Sequence, residues 1–529
     1  PVYAGELYLE AHRGTLTQLH DIKRGNPRAE FALREAEILG VCGGTCSDGW
    51  RARWHAAWDL LLVNQFHDIL PGTSIQEVHD RAIAELRQVC ADAETLAAEA
   101  AATQVRPADD RVTVFNTLSW PRQEACIPGL SANRRLAGCT SQRVTTPWGA
   151  SRTVAHALDL PPLGARSFPL APEEPVVPAT SPFSWDGHAV TTPLLRARFA
   201  ETGGLASVWL FGAKRELAAD DGLPLNTFRF GEDIPAAWDN WDIDADLALK
   251  LTPSLQPEER TVVADGPLQF RVRQSFRFGM GSRLIQDVVF HAATLRIDFE
   301  TVIHWRESHA FLLAEFPLAV RAPSARHEIQ FGHLERPTHR NSFEDRARFE
   351  VCQHKWTDLS ENRFGVALLN DGKYGVSVEG GTIRLSLHKG GCHPDPRGDR
   401  GDHVVTYSLL PHEGAFSADH VVRAAYELNV APTVITGSLP GDATSLFTID
   451  VPNLVVEAIK PAEDGRGYMV RLYECERQAT RATIRFSRTP AAVFTTNLLE
   501  EPVARLDLEA DVIRLPFRPF DLVSIQVIP

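Results

Sequence analysis

Large apolar residues recur at helical spacing through Trp50, Trp54, Trp58, Leu61 and Leu62, which predicts a helix with one buried face. Pro71 and Gly72 stop it near Asp68. Ser74 followed by Glu77 has the form of a capping box, and Ile75, Val78, Ala82, Ile83, Leu86, Val89, Ala93 and Leu96 continue at helical period beyond it. A second helix therefore leaves the turn. Upstream, Asn26-Pro27 supplies an N-cap with proline at the first helical position, and Phe31, Ile38 and Leu39 mark the buried side before Gly40 ends that helix. Ahead of these, Gly5–Thr15 alternates apolar and polar residues as a strand does. Three helices by residue 103 make a small bundle, and Arg106-Pro107-Ala108-Asp109-Asp110 is a polar, helix-breaking linker.

After the linker the period changes. Val112-Thr113-Val114-Phe115-Asn116 opens a long region of short β-branched and aromatic runs separated by Gly, Pro, Asn and Asp, which argues for antiparallel sandwiches. Leu170 to Pro182 is rich in proline and marks a boundary. Beyond it Leu268–Arg273 and Thr294–Phe299 alternate cleanly, as in a large sandwich with one solvated face per sheet. Leu439-Pro440-Gly441-Asp442 is a turn before a last β unit. The expected fold is mainly β with an N-terminal α-helical bundle: a lead-in segment 1–25, a three-helix middle domain 26–105, a small β-sandwich 111–180, a large central β-sandwich 185–435 and a C-terminal β domain 445–529.

Composition narrows the function. A chain of 529 residues with 44% hydrophobic content can build several domains. Its net charge of −14 argues against nucleic acid and against an anionic membrane surface, both of which call for clustered Lys and Arg, while a neutral polyol ligand is compatible. Eight cysteines are scattered without paired metal-knuckle spacing, Cys42 and Cys46 included, so reduced thiols in a cytoplasmic protein are expected. No charged-then-apolar leader and no apolar run long enough to span a bilayer is present. The chain begins at Pro1 rather than Met and is expected to be part of a longer protein.

The candidate chemistry sits in the first turn, Asn64-Gln65-Phe66-His67-Asp68-Ile69-Leu70-Pro71-Gly72-Thr73-Ser74, which sets an imidazole beside a carboxylate between two packed helices. On spacing alone a lone histidine near a helix end serves orphan carbonyls there, and one histidine is a poor metal signature. The whole string, however, resembles the Gln-x-His-Asp-x-x-x-Gly-Thr motif of the family-38 α-mannosidases, zinc-dependent retaining glycosidases. The resemblance implies that His67 is a metal ligand and that Asp68 contacts the bound sugar.

It extends along nearly the entire chain. Gly5–Thr15 is similar to the stretch where the catalytic domain of cytosolic and bacterial members hands over to the helical region, and the runs Phe115–Arg122, Asp345–Glu350, His354–Glu361, Gly365–Gly375, Pro394-Asp395-Pro396, Pro411–Gly414, Tyr426–Asn429, Arg471–Glu474 and Pro519–Leu522 follow the family's order. In that family the nucleophile, the acid and the other zinc ligands lie in an N-terminal α/β domain. His393-Pro394-Asp395 is the single His-x-Asp here, belongs to the β half and is not assigned to metal. The resemblance thus implies the C-terminal part of an α-mannosidase, inactive alone, whose partners are a mannose-containing oligosaccharide and its own N-terminal catalytic domain. Whether it forms a homo-oligomer is left open.

Three further segments carry sugar-site chemistry. Trp238-Asp239-Asn240-Trp241-Asp242-Ile243-Asp244 joins aromatic faces to carboxylates, although a turn with core tryptophans and amide-capping carboxylates explains it as well. His354, Trp356 and Asp358 read the same way. Asp395–Asp402 contains two Arg-Gly-Asp strings and reads as a solvated turn. The rival to the enzyme is a non-catalytic carbohydrate-binding β-sandwich protein, for which His67 would be buried and internally satisfied.

Overall fold

The computed structural model describes residues 2, 6, 12–131, 133–172, 181–220, 222–441 and 445–529. The lead-in strand expected over Gly5–Thr15 lies largely outside them, and its last part is a 3-10 turn, Gly14–Leu16. Three helices follow: α1 (His20–Gly43), α2 (Asp48–Asn64) and α3 (Gln76–Ala102). Their apolar stripes form one cluster in which Leu33, Val89 and Ala93 are fully buried and Leu86 and Leu96 nearly so. Each fully buried leucine contributes roughly 1.5–3 kcal/mol. Leu62, one position round from buried Leu61, faces solvent.

Both ends of α1 differ from the expectation. The helix begins at His20, so Asn26 and Pro27 lie inside it. The first turn does not need a local cap, because the His20 amide donates to Asp399 Oδ2 at 2.8 Å, a carboxylate supplied by a distant loop. Gly40 does not stop the helix either. It is a contact point, where a Cβ would come within 2.9 Å of the Trp50 ring, and the helix runs on to Gly43 with Gly44 at φ +62 as its C-cap.

The remainder is antiparallel β. Arg111–Asn116 and Gly164–Pro172 pair in a four-stranded sheet whose outer strand, Thr433–Thr436, arrives from far along the chain. A nine-stranded sheet runs from Pro257–Asp265 through Gln269–Phe278, Ser282–His291, Ile297–Trp305 and Gly401–Glu413 to Phe364–Asn370 and beyond. It shares one core, containing Phe270, Phe276, Phe290, Phe299, Phe316 and Tyr407, with two five-stranded sheets. A three-stranded and a five-stranded sheet close the chain around Val470, Leu472, Ile484 and Ile525. Among the described residues no helix is long and apolar enough to cross a membrane, and all eight cysteines are free.

One expectation about the large sandwich is overturned. Alternating polar residues were to face solvent, yet Arg271, Asp298 and Glu300 are buried. The small sheets cover that face: Gln142 Oε1 accepts the Leu268 and Gln269 amides, at 2.9 and 2.8 Å, and Arg152 reaches Glu300 at 2.8 Å. Charges under such cover must be paired. Arg271 accordingly binds Glu300, and Asp298 takes Arg296 at 2.8 Å and His291 at 2.8 Å, which hold its carboxyl far below the usual range against the opposing effect of burial.

Helix α1 is buried on several sides at once. Arg34 donates to Glu457 O (3.0 Å) and Val456 O (2.9 Å) in the strand Leu454–Pro461, and Arg24 pairs with Asp371 at 2.8 Å. Glu37 Oε1 accepts the indole N–H groups of Trp54 (3.1 Å) and Trp58 (2.9 Å). Burial pushes this carboxyl up from 4.5 to about 7, with the two indoles opposing. A raised carboxylate pKa means that the stabilisation is complete below pH 4.5 and is lost as pH rises through about 7. Glu37→Gln keeps an oxygen for both indoles without the charge. It is expected to raise stability at pH 8 by on the order of 3 kcal/mol and to leave it nearly unchanged at pH 4.5, read from the thermal midpoint of the helical circular-dichroism signal.

Candidate functional site

Helix α2 ends at Asn64, four residues before Asp68, and the chain folds into overlapping turns. Ile69 N and Leu70 N donate to Phe66 O at 2.9 and 3.1 Å, Gly72 N to Ile69 O at 3.0 Å and Thr73 N to Asp68 O at 3.2 Å. On the outside of this corner stand His67, with its side chain 78% exposed, and Asp68, at 49%. Their Nε2 and Oδ2 atoms are 3.7 Å apart, too far for a hydrogen bond. Thr73 Oγ1 lies 3.3 Å from both Asp68 Oδ1 and Asp68 O, so its one hydrogen is shared between the side chain and the main chain of Asp68.

The corner is exposed above and tied below. Lys23 Nζ, on the buried side of α1, donates to Leu70 O (3.1 Å) and Pro71 O (3.0 Å), and burial brings its ammonium down to about 7. Asn240 Nδ2, fully buried, donates to Gly72 O at 3.1 Å. The Ser74 amide donates to His79 Nε2 at 3.1 Å, while the other ring nitrogen meets Asp395 Oδ2 at 2.9 Å. Gln65 Nε2 anchors the near end on Asn26 Oδ1 (3.0 Å) and Glu30 Oε1 (2.7 Å). These contacts explain why no capping box forms. Ser74 spends its hydroxyl on Asp68 O (2.8 Å) and its amide on His79, so α3 begins at Gln76 with Ile75 as an uncapped N-cap.

The aromatic-carboxylate segment lies against this corner through Asn240. Two of its carboxylates serve local amides, Asp242 Oδ1 accepting Ile243 N and Asp244 Oδ2 accepting Ala236 N, each at 3.0 Å, whereas Asp239 Oδ2 accepts the distant Cys392 N at 2.5 Å. Its first tryptophan does not pack in the core, for Trp238 is 65% exposed and sits at φ +61. Trp356 and Asp358 are buried, and Asp358 binds His412 at 2.8 Å, so that segment is structural. The Arg-Gly-Asp loop departs from the solvated turn expected of it. Asp395 and Asp399 are buried because one holds His79 and the other caps α1. His393 is exposed, and Asp395 is committed to His79 and Arg397.

A second gathering of ligand-type side chains, His20, Asp21, His388, Asp399 and His403, is buried between α1 and the sandwich. Most of its nitrogens have partners, although His388 Nδ1 is buried without one. His20 Nε2 donates to Val404 O (3.0 Å) and its Nδ1 meets Lys373 Nζ (2.7 Å), while His403 donates to Asp399 O (2.9 Å) and faces Asp21 Oδ1 (3.3 Å). Burial opposes a charge on His403, but Asp399 and Asp21 outweigh it and raise its pKa. The group is thus a buried network of imidazoles, carboxylates and a lysine hydrogen-bonded largely to one another. An open cavity of about 380 Å³ beside it is lined by Arg24, Arg87, Asp21 and Glu94 and includes no corner residue. Two of those cations are paired, Arg24 with Asp371 and Arg87 with Asp21.

Lys23 and His79 escaped sequence reading, while Asn240 and Asp395 were read only as parts of an aromatic-carboxylate segment and of a solvated loop. The available signal was a polar side chain on an otherwise apolar helix face, as His79 is ahead of Ala82 and Leu86. Its partner lies 316 residues away, beyond any local pattern.

Three family models match the chain: the α-mannosidase middle domain over residues 10–103, the glycosyl hydrolases family 38 C-terminal domain over 190–397 and the family 38 C-terminal β-sandwich domain over 453–525. Alpha-mannosidase 2C1 of Homo sapiens is 36% identical over 541 residues, covering 99% of this chain and 50% of that protein. Alpha-mannosidase G of Dictyostelium discoideum is 30% identical over 94% of this chain and 50% of its own length. The chain thus spans about half the length of these curated relatives. The crystal structure of an alpha-mannosidase from Enterococcus faecalis V583 superposes with a TM-score of 0.78 at 16% identity, over 97% of this chain and 68% of that one, which shows the shared fold.

Gly72 is the pivot of the corner, with φ +80 and with Leu19 Cβ and Gln18 O at 2.8 and 2.9 Å from where a Cβ would stand. Gly72→Ala is expected to cost roughly 1–3 kcal/mol from backbone strain, with the overlap adding to it. Chemical denaturation measures the loss, and limited proteolysis should show cleavage concentrated between residues 65 and 75.

Proposed function

Because the chain belongs to glycosyl hydrolase family 38, carrying its middle and C-terminal domains, we propose that it is the C-terminal part of a zinc-dependent retaining α-mannosidase acting on terminal α-mannosyl residues of oligosaccharides. His67 supplies one metal ligand and Asp68 one hydrogen-bond acceptor for a sugar hydroxyl. The observation that carries this reading is the combination at the corner: an imidazole 78% exposed, set on a turn whose underside is tied by buried polar groups. A ligand needs that stiffness, and a structural histidine has no use for that exposure. The carbohydrate-binding alternative called for His67 to be buried, and the exposure speaks against it.

The donor set fits in part. Zinc takes three or four protein ligands in a catalytic site and His67 offers one, so the others come from the N-terminal catalytic domain. When bound, the ion supplies Lewis-acid attraction for adjacent sugar hydroxyls. The imidazole of His67 would hold it, with no hydrogen bond to break first. Asp68 would offer a carboxylate oxygen to the sugar. A retaining hydrolase further needs a nucleophile and an acid roughly 5–5.5 Å apart, and both belong to the same absent half.

The same reading assigns the protein to the cytoplasm, in keeping with eight free cysteines. It takes the chain as a lead-in, a helical middle domain, a small sandwich, a large sandwich and a closing β domain, in the order and with the limits read from the sequence.

The test is the full-length protein on an aryl α-mannoside, with and without a chelator, beside His67→Ala. Each treatment is expected to lower activity by ~100-fold or more, beyond the loss typical of an outer-shell change. Activity indifferent to both would remove the metal role, and an inactive wild type would favour a binding module.

A further inference from the structure

Lys23 and Asn240 meet the corner through its carbonyls. His79 is different, since both of its ring nitrogens are committed, one to the corner and the other to Asp395. His79 is the fourth residue of α3, and its side chain is fully buried. Its ring reaches back five residues to the Ser74 amide at 3.1 Å. An amide N–H only donates, so Nε2 must be the bare nitrogen and Nδ1 must carry the hydrogen. That hydrogen goes to Asp395 Oδ2 at 2.9 Å. Asp395 is in turn gripped by the Arg397 backbone amide (3.0 Å), Nε (3.0 Å) and Nη2 (2.7 Å), and Arg397 Nη1 returns to Asp80 Oδ1 at 2.5 Å.

The bond does not serve the helix. Ser74 precedes the N-cap Ile75, and the first helical amides of Val78 and His79 already find Ile75 O at 3.1 and 3.2 Å. What it serves is Ser74, whose hydroxyl donates to Asp68 O at 2.8 Å. An unbroken path therefore runs from the sandwich loop through carboxylate, imidazole, amide and hydroxyl to the residue that stands beside His67.

We propose that His79, oriented by Asp395, is a positioning residue for the metal- and sugar-binding corner: it holds Ser74, and through Ser74 the main chain of Asp68, in the register that aims His67 and Asp68 outward. This rests on the family-38 reading above. It ties the corner to the large sandwich as well as to the helical bundle, so that the two cannot shift relative to each other without moving the metal ligand.

Two isosteres separate the two nitrogens. In His79→Asn the amide nitrogen replaces Nδ1–H and keeps Asp395 but leaves the Ser74 amide without an acceptor. In His79→Gln the amide oxygen reaches the Nε2 position and restores it. In the full-length protein, zinc affinity by chelator competition, the visible spectrum of the cobalt-substituted form, and kcat and KM on an aryl α-mannoside are measured for both variants and for His67→Ala. His79→Asn is expected to bind zinc ~10–100-fold more weakly, to shift the cobalt bands and to raise KM, while His79→Gln stays near wild type. Wild-type zinc affinity and cobalt bands in His79→Asn, with zinc lost in His67→Ala, overturn this proposal alone. Zinc retained in His67→Ala overturns the reading beneath it. Should His79→Asn fail to fold, Ser74→Ala removes only the hydroxyl link to Asp68: weaker zinc and a raised KM uphold the path, and unchanged values overturn it.

Discussion

Helix α1 passes through the middle of the protein, and the need to satisfy its buried polar groups organises what surrounds it. His20, Lys23, Asn26, Arg34, Glu35 and Glu37 are all buried along its length. A polar group taken from water without a partner costs about 1–3 kcal/mol, more if charged, so each must be met by whatever packs beside it. Arg34 is met by the main chain of the closing β domain, His20 by Val404 O and Lys373 of the sandwich, and Glu37 by the indoles of α2. Lys23 is met by the carbonyls of Leu70 and Pro71. The corner is thus one of several places where α1 finds its complements.

That origin explains how an exposed turn can be stiff. A turn on the surface ordinarily draws its hydrogen bonds from itself and from water, and its position drifts. Here the carbonyls of three successive residues, Leu70, Pro71 and Gly72, receive buried donors from α1 and from the Trp238–Asp244 segment. The positive φ of Gly72 lets the chain pass against Gln18 and Leu19 closely enough for those donors to reach. His67 and Asp68 thus stand exposed above a framework fixed beneath.

Elsewhere, burial decided the fate of charges that look alike in sequence. His-Asp dipeptides occur at His20-Asp21, His67-Asp68 and His79-Asp80. The first histidine is buried against Val404 O and Lys373, the third holds a main-chain amide, and only the second stands in solvent. The loop Asp395–Asp402 shows the same sorting, with Asp395 and Asp399 drawn inward as partners for two helices.

The sequence by itself determined the local choices. The 3.6-residue period of α2 and α3, the break at Pro71-Gly72 and the change to β-branched runs after residue 110 are written in neighbouring residues, because helix, turn and strand are decided over distances a few residues long. The motif also placed His67 and Asp68 side by side on that break. Only the tertiary structure decided where α1 starts, which charged strand positions are covered, and that Lys23, Asn240, His79 and Asp395 hold the corner. Each of those outcomes is a hydrogen bond or ion pair between residues tens to hundreds of positions apart, and a long-range partner leaves no period in the chain that needs it.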